Sequence, residues 1–495
     1  MLRHVRVQRA VRRAFVLGVV SGGAAAAAAE GVQLSPGHRR RRRPRGDEPP
    51  PLLRFGVITD IQYCDIEDRF NASRTRSRAY RGALVCLQKA VLHWNATDDL
   101  AFVAHLGACP RSARLPAWKS ADSAGCPGDI VDQECAARGD SHEALATVLA
   151  EFAKVRTKLT LPEGWGATAP VPAGTPQPFL VHLVGNHELY NFTREELREK
   201  LGTNGPPPCD RSYYSFLPHK RLRIVVLDSY DVNTIDNVEH HPPSHDEGFA
   251  FLEQQNMTDL DGRGKVDWLQ GLNGKQRRFN PLNGSVGADQ LKWLGEELDK
   301  ADAARERVII LGHVPMCPQG AKDMCLLWNY KEVLDVLNDH PCVVACFHGH
   351  DHEGGYRQDT SGIHHVTFQS PLNSVAGGSE PRQAHATVCL YPDRLELDGA
   401  GIIPSRTLRF NRGPNDPQMP VAGGVESGRG QGHRQQLDSL VAEGPAGRPL
   451  ELSTDTLPSD SIHGYVFTKR GYWKGYKFGW TCDRCGLEGK PTDVR

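Results

Sequence analysis

The sequence predicts an α/β domain with a mixed sheet system, and two observations carry that prediction. Short apolar runs alternate with longer polar or helical stretches from residue 52 onward, and three further runs lie close together near the end without a helix between them. The first set comprises residues 53–58, 100–106, 179–184, 222–227, 308–311 and 343–347, read as strands. Residues 78–94, 141–155 and 288–298 lie between them as candidate helices. The closing set, residues 363–368, 385–390 and 394–397, reads as antiparallel strands, which makes the sheet system mixed.

The bulk properties bound the rest. A chain of 495 residues can bury a substantial core. Acidic and basic residues balance at 59 each, which argues against nucleic acid or another polyanion as partner. The thirteen cysteines follow no repeating spacing and read mostly as reduced thiols. No stretch is long and apolar enough to span a bilayer.

Four segments follow from the composition. Residues 1–51 are a basic targeting segment or tail, with Arg3, Arg6, Arg9, Arg12 and Arg13 ahead of a short apolar run, as in an organellar transit peptide. The expected location is therefore cytoplasmic or organellar. Residues 52–412 read as the ordered main domain. Residues 413–461 are rich in Gly, Pro, Ser and Gln and read as a linker. Residues 462–495 form an aromatic tail with one Cys-x-x-Cys pair, Cys482 and Cys485, too few ligands alone for a structural zinc site.

The residues that carry chemistry stand where the apolar runs stop. They are Asp60-Ile-Gln62, Gly128-Asp129, Gly185-Asn186-His187-Glu188, Gly312-His313 and His348-Gly349-His350-Asp351-His352. Ligands in α/β sheets gather outside the carboxyl ends of the strands. Carboxylate, amide and imidazole together suit a hard-to-borderline divalent ion such as manganese. A carboxylate can bridge two ions, and a pair about 3.5–4 Å apart forms the clamp used in phosphoester cleavage.

The order D-x-[HQ], GD, GNHE, GH, GHxH resembles the calcineurin-like metallophosphoesterase superfamily. Within it the chain resembles the manganese-dependent ADP-ribose/CDP-alcohol diphosphatases, through Phe55-Gly-Val-Ile-Thr-Asp-Ile-Gln-Tyr63, Asn283-Gly-Ser, Cys325-Leu-Leu-Trp-Asn-Tyr330 and Gly349-His-Asp-His-Glu-Gly-Gly-Tyr356. The resemblance implies a four-layer α/β/β/α sandwich, two sheets flanked by helices. It implies two divalent metal ions, manganese, one on Asp60, Gln62, Asp129 and His352 and the other on Asp129, Asn186, His313 and His350. His187 would face the reacting phosphate, and Cys325 and Tyr330 the substrate. The implied reaction is hydrolysis of a nucleoside diphosphate derivative by a monomer, with ADP-ribose giving AMP and ribose 5-phosphate. A phosphomonoesterase or cyclic-nucleotide phosphodiesterase on the same centre is the alternative. One departure stands out: residues 108–127 are inserted directly before Gly128-Asp129. They loop out and leave Asp129 in place, or are absent from the working protein, or disable the centre and leave a metal-binding scaffold.

Overall fold

The computed structural model describes residues 49–70, 77–108, 131–160, 176–205, 211–235, 242–255, 269, 271–374 and 380–410, with four two-residue strands in the tail. The strands of the main body are β1 (Leu53–Ile58), β2 (Arg69–Phe70), β3 (Ser77–Arg78), β4 (Leu100–Ala108), β5 (Leu180–Val184), β6 (Tyr214–His219) and β7 (Leu222–Leu227). They continue as β8 (Arg307–Gly312), β9 (Val343–His348), β10 (Gly355–Gln358), β11 (His364–Thr367), β12 (Ala384–Leu390), β13 (Arg394–Gly401) and β14 (Arg406–Arg409). The helices are α1 (Tyr80–Asn95), α2 (Gln133–Arg138), α3 (Ser141–Phe152), α4 (Glu188–Asn191), α5 (Arg194–Leu201), α6 (Pro242–Gln254), α7 (Ala288–Ala304) and α8 (Tyr330–Asn338).

Two six-stranded sheets form, in the orders β14-β13-β12-β1-β4-β5 and β10-β11-β9-β8-β7-β6. Each is mixed: β1, β4 and β5 run parallel while β12, β13 and β14 are antiparallel. In the second sheet β7, β8, β9 and β11 run parallel, with β6 and β10 antiparallel at the edges. Alternate residues of the strands point into one shared core between the sheets. Phe55 and Phe102 stack there at 4.7 Å from the first sheet, and Phe55 meets Phe347 of the second at 6.4 Å. Truncating such a fully buried phenylalanine to alanine costs about 3–5 kcal/mol.

Helices cover the outer faces. On α1 the buried positions Tyr80, Ala83, Leu87, Ala90, Val91 and Trp94 recur at helical spacing, and Trp94 Nε1 donates to Ala386 O of β12. The helix α7 lies against β8 and ends at Arg305, whose left-handed φ of 53° closes it. The expected four layers are therefore present.

Several element boundaries move. The helix expected over 288–298 runs on to Ala304, and that expected over 78–94 begins two residues later, at Tyr80. The strand expected over 363–368 is not part of an antiparallel set with 385–390. It is β11, parallel to β9 in the second sheet, whereas β12 and β13 belong to the first. Strands β6, β10 and β14 carry no apolar run, and all three are sheet edges, where one side faces solvent and polar residues are tolerated. The four tail strands pair as Val466–Phe467 with Trp473–Lys474 and Trp480–Thr481 with Glu488–Gly489. Among the described residues no helix is long and apolar enough to cross a membrane. The N-terminal segment, Cys482, Cys485 and nearly all of the 108–127 insertion lie outside the described residues.

Candidate metal centre

The carboxyl ends of β1 and β5 in one sheet and of β8 and β9 in the other open onto the same place. Two hydrogen bonds cross between the sheets there: His350 N donates to Asp60 Oδ2 at 3.1 Å, and His313 Nδ1 donates to Leu106 O at 2.8 Å. Asp60, Gln62, Asn186, His187 and His313 are all fully buried, and His350 and His352 nearly so. Asp129 lies outside the described residues.

The described candidates fall into two groups. In the first, the Gln62 amide end lies 2.6 Å from His352 Nε2, which in turn is 3.4 Å from Asp60 Oδ1. In the second, His313 Nε2 and His350 Nδ1 lie 3.3 and 3.2 Å from Asn186 Oδ1. Neighbouring ligands around an ion with bonds of about 2.1 Å sit about 3 Å apart, so these separations are those of a coordination sphere.

The protons support the same reading. A carbonyl can only accept, so His313 carries its proton on Nδ1 and presents a lone pair at Nε2. The Asn283 amide nitrogen donates to Arg278 O, Met324 O and Leu326 O, which turns its oxygen toward His350 Nε2 at 2.7 Å. His350 therefore presents a lone pair at Nδ1. Two imidazole lone pairs and a carbonyl oxygen converge, an arrangement that a cation would satisfy. Burial holds both rings below their ordinary pKa, in the neutral form that ligates. The buried Gln62 Oε1 has no hydrogen-bond partner among the described residues. The donor set fits divalent ions.

Backbone strain concentrates here. Asp60, Gln62 and His350 adopt left-handed φ values of 49°, 50° and 64°, each costing about 1–3 kcal/mol in a non-glycine residue. Gly349 is required between His348 and His350, because a Cβ there would run into Thr59 Oγ1 and Asp60 Oδ2. A Cβ on Gly107 would likewise strike the His313 ring.

His187 begins the turn after β5, packed against Tyr190 at 4.8 Å. Neither of its ring nitrogens has a hydrogen-bond partner among the described residues. Burial pushes its pKa well down, with the Arg78 guanidinium and His352 adding to the effect. Cys325 sits on a single 3-10 turn, Asp323–Cys325, and Tyr330 opens α8; both are buried.

Three residues contribute beyond the predicted ligands. Asn283 orients His350, the Tyr230 hydroxyl lies 3.3 Å from Asn186 Oδ1, and Arg78 pairs with buried Asp132 at 3.2 Å beside His187. Arg78 closes the two-residue β3, Tyr230 lies three residues past β7 and Asn283 stands in a loop, all outside the segments that the ligand pattern picks out.

Comparison with known proteins gives the family. Residues 53–354 match the calcineurin-like phosphoesterase family. The manganese-dependent ADP-ribose/CDP-alcohol diphosphatase of Bos taurus is 32% identical over 373 residues, 73% of this chain and 95% of the relative. The protein of the same name from Oryza sativa subsp. japonica is 36% identical over 360 residues, with the same coverage of 73% and 95%. A crystal structure of a dimetal phosphatase from Danio rerio superposes with a TM-score of 0.59 at 32% identity, covering 73% of this chain and all of that one. The chain belongs to the calcineurin-like phosphoesterases, in the family of the manganese-dependent ADP-ribose/CDP-alcohol diphosphatases.

Proposed function

We propose that this protein is a dimetal hydrolase that cleaves the diphosphate bond of ADP-ribose, CDP-choline and related nucleoside diphosphate derivatives. The observation that carries the reading is the convergence of His313 Nε2 and His350 Nδ1 on Asn186 Oδ1, beside the Asp60, Gln62 and His352 group. Asp60, Gln62 and His352 would hold one manganese ion and Asn186, His313 and His350 the other, with Asp129 reaching both. When bound, the ions lower the pKa of water and balance charge on the phosphoryl oxygens.

The remaining roles belong to the chain's own residues. His187, fully buried and neutral at rest, offers a ring N–H to a phosphoryl oxygen or to the leaving oxygen. Arg78 adds fixed positive charge on the same side, held by Asp132. Cys325 and Tyr330 shape the nucleoside side from beneath, through the loop that Asn283 ties to the ligands.

The test is manganese-dependent release of AMP from ADP-ribose, with Asp129→Asn in parallel. Turnover that disappears in the variant supports the assignment and shows that the 108–127 insertion is tolerated. A manganese-loaded protein inert toward ADP-ribose and CDP-choline would overturn it. Cleavage of phosphomonoesters or cyclic nucleotides instead would reassign the same centre. Activity restored by deleting residues 108–127 would identify the insertion as the block.

A further inference from the structure

Behind the catalytic turn lies a second cluster of ligating side chains that the reaction does not use. Cys346 and His348 lie on β9 and His365 on the adjacent parallel strand β11, where it pairs directly with Cys346. All three side chains point away from the core between the sheets, since Phe347 and Val366 occupy that side. All three are buried, and one ring nitrogen of each histidine lies with the Cys346 sulfur inside a mutual distance of 4.8 Å.

What distinguishes this cluster from ordinary core packing is the state of its nitrogens. His348 Nδ1 donates to Gly312 O at 3.0 Å, which leaves Nε2 as a lone pair. His365 Nε2 bonds Asp359 Oδ2 at 2.9 Å, and Asp359 Oδ1 is itself held by Ile363 N at 2.9 Å. That leaves His365 Nδ1 as a lone pair. Neither His348 Nε2 nor His365 Nδ1 has a hydrogen-bond partner among the described residues. A carboxylate or carbonyl on the far nitrogen is the arrangement that orients a ligating imidazole. Two buried lone pairs left without donors beside a thiol cost free energy unless an ion takes them.

We propose that Cys346, His348 and His365 bind a second kind of metal ion, zinc, distinct from the ions of the catalytic centre. Thiolate with two imidazoles favours zinc over manganese, and three protein ligands leave one position of a tetrahedral ion open. Binding releases the Cys346 thiol proton to solvent as the sulfur–zinc bond forms. Ligand atoms of a filled site sit about 3.3–3.8 Å apart, so the cluster closes by at most about 1.5 Å on loading. The ion would tie β9 to β11 directly beneath the His348-Gly349-His350 turn.

Cobalt is the probe, because a thiolate-to-cobalt charge-transfer band reports a cysteine ligand and no candidate catalytic ligand is a cysteine. Full-length protein is stripped of metal, loaded with manganese, and titrated with cobalt. The expected result is a thiolate band that saturates at a single equivalent, is abolished by added zinc and by Cys346→Ser, and survives Cys482→Ser/Cys485→Ser. His365→Asn is expected to weaken cobalt binding at least about 10-fold. Absence of the band in the wild-type protein at saturating cobalt overturns the proposal, whether or not any variant folds. A band that persists in Cys346→Ser, or vanishes with the tail cysteines, overturns it too.

Discussion

Asn283 Oδ1 accepts from His350 Nε2 at 2.7 Å, and the amide nitrogen of the same side chain donates to three backbone carbonyls from two segments of the rim. One side chain thus fixes both the proton position on a ligand and the path of the loop beside it. Asn283→Leu removes the acceptor and the side-chain donor to Leu326 O, while Arg278 O and Met324 O keep Asn280 as a donor. The expected outcome is a manganese requirement raised about 10–100-fold, the range for losing such an orienting partner. A manganese titration of activity, run beside a thermal melt, checks it. A lowered melting temperature with an unchanged manganese requirement would reduce Asn283 to a structural role.

The Gln62 amide lies against His352 Nε2 at 2.6 Å, in a motif position that takes His or Gln in the pattern this chain resembles. An amide oxygen is a harder ligand than imidazole and favours manganese over softer ions. Gln62→His is expected to shift the preferred metal from manganese toward zinc or cobalt. Relative turnover across a series of divalent ions reads this directly, and an unaltered ranking would count against it.

His187 touches no described hydrogen-bonding partner and faces the space beside the ligands. If it acts on the phosphoryl group, His187→Ala lowers turnover by about 10²–10⁴-fold, the usual contribution of a positioned proton-transfer group. Manganese binding, measured by calorimetry, should be retained. Lost metal would instead make His187 part of the coordination sphere.

Two histidines outside the centre set a pH limit on stability. His105 and His182 face each other across β4 and β5 at 5.6 Å, against Phe152. Burial lowers the His182 pKa from 6.5 to about 3 and pushes His105 well below its ordinary value. The unfolded chain therefore binds protons that the folded chain does not. Stability is full above pH 6.5 and falls as the pH drops from there toward 3. Each group contributes a slope of about 1.4 kcal/mol per pH unit. Urea denaturation between these limits should show the decline, and His182→Leu should flatten it. An unchanged slope in that variant would place the acid sensitivity elsewhere.

Legibility in the sequence followed how local each feature is. The central strands announce themselves because both faces are buried, as in residues 53–58 and 222–227, which match β1 and β7 residue for residue. Edge strands such as β6, with Pro218 and outward polar residues, carry no such run. Strand 363–368 was visible as a strand but not as a neighbour of β9, since pairing partners are not encoded in the strand's own pattern. The ligand candidates were legible for a chemical reason. Asn and His together after an apolar run have no routine packing use. An Asp there is often only a helix cap, as Asp132 is for α2, so it was the combination that marked the site.

The sequence alone therefore determined the candidate ligand types, the strand ends that carry them and the family they resemble. Tertiary structure decided how they meet. It divided the described candidates into two groups, turned His350 by a side chain 67 positions away, and set His365 against Cys346 across two parallel strands. Those relationships depend on protons and register between distant segments. A single segment's composition fixes which groups are available; only the folded chain fixes which lone pair faces which neighbour.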